Sequence, residues 1–488
     1  MTLLARAAAS LTRSACASAS RTPFAAAHVR RSYVTPATAA INMARLGKYV
    51  LVGAVAAGAG FAYDTLAKPL DPNETNILGE RISSLSPAAQ FVHRVISNHA
   101  HVWSVPSANL EMHSTYVASN DPVEDRHAIS VTDQGQVLVS VFDGHAGWQC
   151  SELLSQVFHN YVSRRLLVDG KCKQALVAAF DEFDTDLMSL APQVQAMGPH
   201  VKPDTAQAML MPAMAGAVLV STVIDGNKLL VAHAGDCRAV IGRRQSPEAN
   251  KYAAVALTRD HDADNPAEVA RMRAEHPGEE ATVVMRKRVL GGLQPFRSMG
   301  DARYKWAHDV QEWVGKVFEG SQYPYKHMPR NFKTPPYVTA HPEAVEYVLD
   351  ENDRFMVLAT DGLWERATND QVIDMVGEYL ARQEKGHWAH QDKNAAAHVV
   401  RNAFGARDTE LVASLLKIPA PLSRRYRDDI TVVVVFFDRK DGGGDKVKEV
   451  SKTVKLPERA EPMKSKITPT PTGLEMRPGE GIVPSAKL

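Results

Sequence analysis

Five short segments place carboxylates at the ends of apolar runs. They are Pro122-Val123-Glu124-Asp125-Arg126, the run from Val141 to Gly147 around Asp143-Gly144-His145, Ala234-Gly235-Asp236-Cys237-Arg238, Ala359-Thr360-Asp361-Gly362-Leu363-Trp364 and Arg427-Asp428-Asp429-Ile430-Thr431. A carboxylate at the end of a buried strand is rigidly aimed. Several converging from different strands repel one another, and cations between them remove that repulsion. Oxygen-only ligands favour hard ions such as Mg²⁺ or Mn²⁺. Ions held this way activate water for hydrolysis. His145 lies beside the acids, and a histidine has the right intrinsic pKa to donate a proton near neutrality. Each Asp-Gly read alone is only a turn after a strand. Glycine after Asp143 and Asp361 frees the backbone to turn there.

Such acids need strands to carry them. Short β-branched runs bounded by Gly or Asp predict strands at Gln136–Phe142, Gly216–Ile224, Lys228–Ala234, Cys237–Gly242, Phe355–Thr360 and Ile430–Phe437. Between them, Ser151 to Leu166 carries apolar residues largely on one helical face. Ser86 followed by Pro87 reads as a helix start, and Thr368 with Gln371 as a capping box. Residues 64–110 read as a linker with helical content. Three stretches, Leu190–Pro212, Asn250–Glu280 and Trp306–Lys333, break the strand rhythm and read as surface insertions that select substrate. There is no P-loop, no GxGxxG and no internal repeat. The four cysteines, Cys16, Cys150, Cys172 and Cys237, have no CxxC spacing and read as reduced thiols. His261, His276 and His341 read as structural or surface residues, and Trp364 as core at a sheet edge.

The acidic segments resemble those of the metal-dependent PP2C-type protein phosphatases. VFDGHAG, GDCRAV, FRSMGD at Phe296–Asp301, ATDGLWE and RDDITVVVV occur in that family's order, within residues 111–438. Asn120–Ala128, Gly292–Arg297 and Pro335–Ala340 resemble the mitochondrial pyruvate dehydrogenase phosphatase branch and its fungal relatives. The resemblance implies an α+β fold, a sandwich of two mostly antiparallel sheets flanked by helices. It implies hydrolysis of phosphoserine and phosphothreonine in proteins by water activated on two divalent ions, Mg²⁺ or Mn²⁺. Carried over position by position, Asp143 bridges the two ions and the Gly144 carbonyl binds one. Asp361 and Asp428 bind the second. Glu124 and Asp125 act through water, Asp236 holds a looser third ion, and His145 is the general acid. Asp429 stands where many relatives have Asn, with little consequence expected for the metals. The family's phosphate-contacting Arg is replaced by Asn120 or a neighbour, which leaves Asn120 and Arg297 as candidate phosphate contacts. A phosphoprotein is the implied partner, with the pyruvate dehydrogenase complex as the implied substrate and a regulatory subunit left open. The competing reading is a catalytically weak regulatory or scaffold protein that keeps the fold. It is disfavoured because Asp143, Asp361 and Asp428 are all present.

Hydrophobic residues make up 45% and charged residues 23% of the 488 positions, enough for a large core without disulfides. The net charge of +1 conceals an asymmetry. No Asp or Glu precedes Asp64, while Arg6, Arg13, Arg21, Arg30, Arg31, Arg45 and Lys48 lie in the first 48 residues, so the rest of the chain carries −6. That balance gives no attraction for nucleic acid. Residues 1–35, rich in Arg, Ala and Ser, read as a mitochondrial presequence with a processing site after Tyr33. Residues 49–63 are uncharged and read as a single-pass inner-membrane anchor, shorter than the roughly 20 residues of a typical span. Residues 439–488 read as a flexible tail. Its terminal Ala486-Lys487-Leu488 is close to a peroxisomal address and implies an import receptor and a second pool in peroxisomes.

Overall fold

Alternation along the strand Ile430–Phe437 defines the layers of the molecule. Val432, Val434 and Phe436 point to one face and pack under helices. Val433, Val435 and Phe437 point to the other and meet residues of a second sheet. Successive side chains of a strand face opposite ways, so a strand apolar at every position is one buried on both sides. Val137–His145 repeats the pattern. Val137, Val139 and Val141 face the space between the sheets, and Leu138 and Phe142 face helices.

The computed structural model describes residues 71–246, 251–381, 387–405, 407–437 and 448–449. One sheet runs in the order Lys448–Glu449, His101–Val105, Leu110–Val117, Ile430–Phe437, Asp353–Ala359, Arg238–Arg244, Tyr252–Ala256. It is antiparallel except at its first pair. The other runs Glu343–Val348, Lys228–Ala234, Gly216–Asp225, Val137–His145, Arg126–Val131, with Met299–Gly300 paired to the start of Gly216–Asp225. Helices Gln149–Val168 and Lys173–Met188 cover this second sheet. Helices Pro87–Ser97, Asn369–Ala381, Ala395–Ala403 and Thr409–Leu416 cover the first. The order of layers is therefore helix, sheet, sheet, helix. Among the described residues, Phe158 meets Phe142, Phe180 and Phe183 edge to face at centroid distances of 6.2, 5.1 and 5.8 Å. Burying each such ring contributes roughly 1.5–3 kcal/mol.

Both predicted caps are present. Ser86 Oγ accepts from Ala89 N–H at 3.2 Å. Thr368 and Gln371 exchange hydrogen bonds at 2.9 and 3.3 Å. Two other expectations are corrected. Residues 64–110, read as a linker with helical content, supply the expected helix at Pro87–Ser97, with Val92 and Ile96 buried, and also a sheet strand at His101–Val105. The insertions are not surface excursions throughout. Leu190, Ala191, Val194, Met209 and Leu210 from the first, and Trp306, Val314 and Phe318 from the third, lie in the main helical core. Met272 of the second and Phe332 of the third instead join a satellite core with Phe296 and Tyr337. Polar residues in these stretches masked a helical apolar face that only its packing partners reveal.

The presequence, the apolar run at 49–63 and the terminal Ala-Lys-Leu lie outside the described residues. Among the described residues, no helix is long and apolar enough to cross a membrane.

Candidate active site

The strand carrying Asp143 does not stop where the sequence suggests a turn. It continues to His145, with Asp143, Gly144 and His145 paired to Val218, Ala217 and Gly216. Ladder pairing on both sides of Val137–Phe142 overrides the turn preference of Asp-Gly. The site is thus mounted on a central strand. Gly144 and Gly362 have ordinary backbone angles, so their value is not freedom to turn. A Cβ on Gly144 would lie 2.5 Å from the Glu124 carbonyl oxygen, and one on Gly362 would lie 2.1 Å from that of Asp429. Each glycine lets one acid-bearing segment press against another.

The acids converge. Glu124, Asp125, Asp143, Asp236 and Asp428 are buried, from 3% to 9% exposed. The thiol of Cys237 records the crowding. Burial drives its pKa well up, and Asp143, Asp236, Asp125 and Asp361 all push it further. A thiol so disfavoured as thiolate is no nucleophile. On the opposite side, the Arg424 guanidinium pairs with Asp428 Oδ1. Burial opposes its charge, but the bond to Asp428 and the charges of Asp428, Asp429 and Asp143 more than offset that and raise its pKa.

The loop Ser119–Asp125 is tied down by Asp429. Its Oδ1 accepts from the N–H groups of Ser119 and Asn120 at 2.5 and 2.8 Å. Its Oδ2 accepts from Asn120 Nδ2 and Glu124 N–H at 3.0 and 2.8 Å. Glu124 Oε1 in turn accepts Gly147 N–H at 2.9 Å. Thr360 Oγ1 donates to Asp125 Oδ2 at 2.8 Å. Arg126 donates to the Val123 and Asp125 carbonyls at 2.8 and 2.7 Å. Asp429 therefore organises the loop on which two of the candidate acids ride.

Both residues expected to contact phosphate are engaged within the chain. The Asn120 amide is 5% exposed and donates to Asp429 and to Glu124 Oε2. Arg297 forms a fork with Glu268, at 3.0 and 2.5 Å, and donates to the His341 carbonyl. Burial works against the Glu268 charge, but Arg297 and Arg271 outweigh it and pull its pKa from an ordinary 4.5 down to about 2. A depressed carboxylate stabilises the fold above its unfolded pKa, so this staple holds above pH 4.5 and fails as pH falls toward 2. Arg297→Ala is expected to cost about 1–3 kcal/mol in a thermal melt, because Arg271 stays paired with Glu268, and to leave KM for a phosphopeptide within about twofold. A large rise in KM at unchanged stability would restore Arg297 as a phosphate contact.

Two residues that no expectation singled out stand at the site. Asp301 Oδ2 lies 2.7 Å from His145 Nε2. It is the last residue of the FRSMGD segment, and only that segment's recurrence pointed to it. Arg424 had no sequence signal beyond lying four residues before Asp428.

His233, His261 and Glu343 bring one ligand atom each within 4.8 Å of one another. They do not suit an ion. The two rings stack at 4.3 Å and 11°, so their in-plane lone pairs run side by side and do not meet. His233 Nε2 donates to the Arg259 carbonyl, and His261 Nδ1 accepts from Gly235 N–H. Burial, first of all, keeps both rings neutral, with the pKa of His261 pushed down to about 2. The carboxylate set around Asp143 is the donor chemistry that hard divalent ions require.

The family profile Protein phosphatase 2C matches residues 111–410. The chain belongs to this family of metal-dependent phosphatases and is a protein-serine/threonine phosphatase. Pyruvate dehydrogenase (acetyl-transferring) phosphatase 1, a mitochondrial protein of Bos taurus, is 31% identical over 486 residues, covering 77% of this chain and 88% of its own. A protein phosphatase 2C homologue of Schizosaccharomyces pombe is 35% identical over 366 residues, covering 66% of this chain and 79% of its own. The mitochondrial pyruvate dehydrogenase phosphatase 1 of Saccharomyces cerevisiae is 32% identical over 397 residues, covering 65% and 67%.

Proposed function

We propose that this phosphatase acts on the phosphorylated pyruvate dehydrogenase complex in mitochondria, using the Asp143 cluster. The observation that carries the site reading is the burial of Glu124, Asp125, Asp143, Asp236 and Asp428 on segments that press against one another at Gly144 and Gly362. Asp143, the Gly144 carbonyl, Asp361 and Asp428 would hold two Mg²⁺ or Mn²⁺ ions, and Asp236 a third, looser one. When bound, the ions supply positive charge that activates water and offsets the phosphoryl oxygens. Glu124 and Asp125, on a loop fixed by Asp429, would accept hydrogen bonds from metal-bound water. His145 holds the proton that the departing serine or threonine oxygen needs. The chain itself is not phosphorylated on the way.

The substrate reading is supported by relatives named pyruvate dehydrogenase phosphatases that align over most of the chain. Their mitochondrial names and the acid-free Arg-rich leader support the compartment. The anchor at 49–63 and the Ala-Lys-Leu terminus rest on sequence alone. Side-by-side kinetics test the substrate: kcat/KM on the phosphorylated complex is expected to exceed that on a generic phosphoserine peptide by at least about tenfold, ~1.4 kcal/mol of recognition. Equal values would remove this substrate and leave the phosphatase activity standing.

A further inference from the structure

We infer that Asp301 is the positioning residue of His145, and that the two form the unit that delivers a proton to the leaving oxygen. The inference rests on the reading of His145 as general acid. His145 Nε2 and Asp301 Oδ2 are 2.7 Å apart, with side chains 9% and 5% exposed. Ser298 Oγ donates to the same Oδ2 at 2.5 Å. That oxygen is an acceptor, so Nε2 carries a hydrogen and the other ring nitrogen, Nδ1, is the one able to hand on a proton.

The backbone is shaped around this pair. Asp301 adopts a left-handed φ of 49°, a conformation that costs a non-glycine residue energy and persists only where its surroundings hold it. Its N–H donates to the Ala215 carbonyl at 3.1 Å. The turn leading into it is clamped from outside by a buried pair. Lys305 Nζ donates to both Asp184 oxygens and to the Ser298 carbonyl, each at 2.8 Å, and Asp184 Oδ1 accepts Gly300 N–H at 2.9 Å. Gly216, opposite, has no room for a side chain. A Cβ there would lie 2.1 Å from His145 Nε2 and 2.4 Å from Asp301 Oδ2. Beyond the histidine, Tyr323 from the third insertion reaches the Ala146 carbonyl at 3.3 Å. A carboxylate held this firmly on one ring nitrogen fixes the ring's orientation and tautomer.

Water oxygen bonds to phosphorus as the phosphorus–oxygen bond to serine or threonine breaks. The electron pair of that bond stays on the leaving oxygen, which takes the Nδ1 proton of the imidazolium. His145 is left neutral with its Nε2 hydrogen still on Asp301, and Asp301 keeps its charge throughout.

The test uses leaving groups of different need on the full chain with Mn²⁺. A phosphoserine peptide releases an alkoxide that must be protonated, whereas p-nitrophenyl phosphate releases a stable phenolate. Asp301→Asn is expected to lower peptide kcat by about 10- to 100-fold, with aryl phosphate kcat changed by less than about threefold and peptide KM unchanged. Asp301→Glu recovers part of the peptide rate, and Ser298→Ala shows the same selectivity on a smaller scale. His145→Gln calibrates the set, because it must be selective for the peptide if the acid reading holds. A selective His145→Gln beside an unselective Asp301→Asn and Ser298→Ala would overturn the role of Asp301 alone. An unselective His145→Gln would overturn the acid reading and the inference with it. Should Asp301→Asn fold poorly, Ser298→Ala, which leaves the carboxylate in place, decides the matter by the same ratio.

Discussion

Asp143→Asn is expected to lower phosphopeptide turnover by at least about 10³-fold, ~4 kcal/mol of transition-state stabilisation, while the metal-free protein melts no lower than wild type. The pairing of opposite effects is the informative part. Asp143 is 3% exposed on a central strand, among acids that all bear on Cys237. Like charges in a buried cluster destabilise the fold in the absence of cations. Asparagine keeps the shape and removes one charge, so metal-free stability holds or rises as Mn²⁺ affinity falls. A residue important only for packing would lose stability and activity together. Thermal melts in EDTA, Mn²⁺ calorimetry and steady-state kinetics on one preparation separate the cases. Activity unchanged in Asp143→Asn would move the active site elsewhere.

Asp429→Ala is expected to cost about 4 kcal/mol, and Asp429→Asn about 2–3 kcal/mol. The carboxylate accepts four hydrogen bonds from Ser119, Asn120 and Glu124 and is 1% exposed. Asparagine keeps one oxygen for the Ser119 and Asn120 N–H groups. Its amide nitrogen then faces Asn120 Nδ2 and Glu124 N–H, donor against donor. Asparagine is thus a poor fit at this position in this chain, where Asn120 supplies a donor of its own. Both variants should also weaken Mn²⁺ binding, because Glu124 and Asp125 ride on the loop that is released. A chemical melt gives the energies. An Asp429→Asn protein as stable as wild type would mean that the loop is held by other contacts.

Much of this arrangement could be read from the residues. Strands Lys228–Ala234 and Ile430–Phe437 were legible to the residue, because β-branched runs bounded by turn residues leave little alternative. The acids were legible as a set for the same reason: each ends such a run. Asp143-Gly144-His145 was misread locally, since a turn dipeptide gives no hint that Gly216–Val218 will pair with it. The insertions were misread because Trp306, Val314 and Phe318 bury a face supplied by distant helices. Arg297 invited a role as phosphate grip, and its partner Glu268 lies 29 positions away, beyond any local pattern. Asp301 and Arg424 were missed for a related reason. Their meaning depends on His145, 156 positions from Asp301, and on how the short helix Leu422–Arg425 turns a guanidinium back on Asp428.

The most direct measurement is phosphate release from a phosphoserine peptide by the EDTA-treated full chain as Mg²⁺ or Mn²⁺ is titrated back, with acid-quenched samples assayed for phosphate bound to the protein. Turnover is predicted to be absent in EDTA, to return saturably with the ion in wild type but not in Asp143→Asn, and to leave no phosphorylated chain. Turnover that persists in EDTA, or a phosphorylated residue trapped by the quench, would contradict the account.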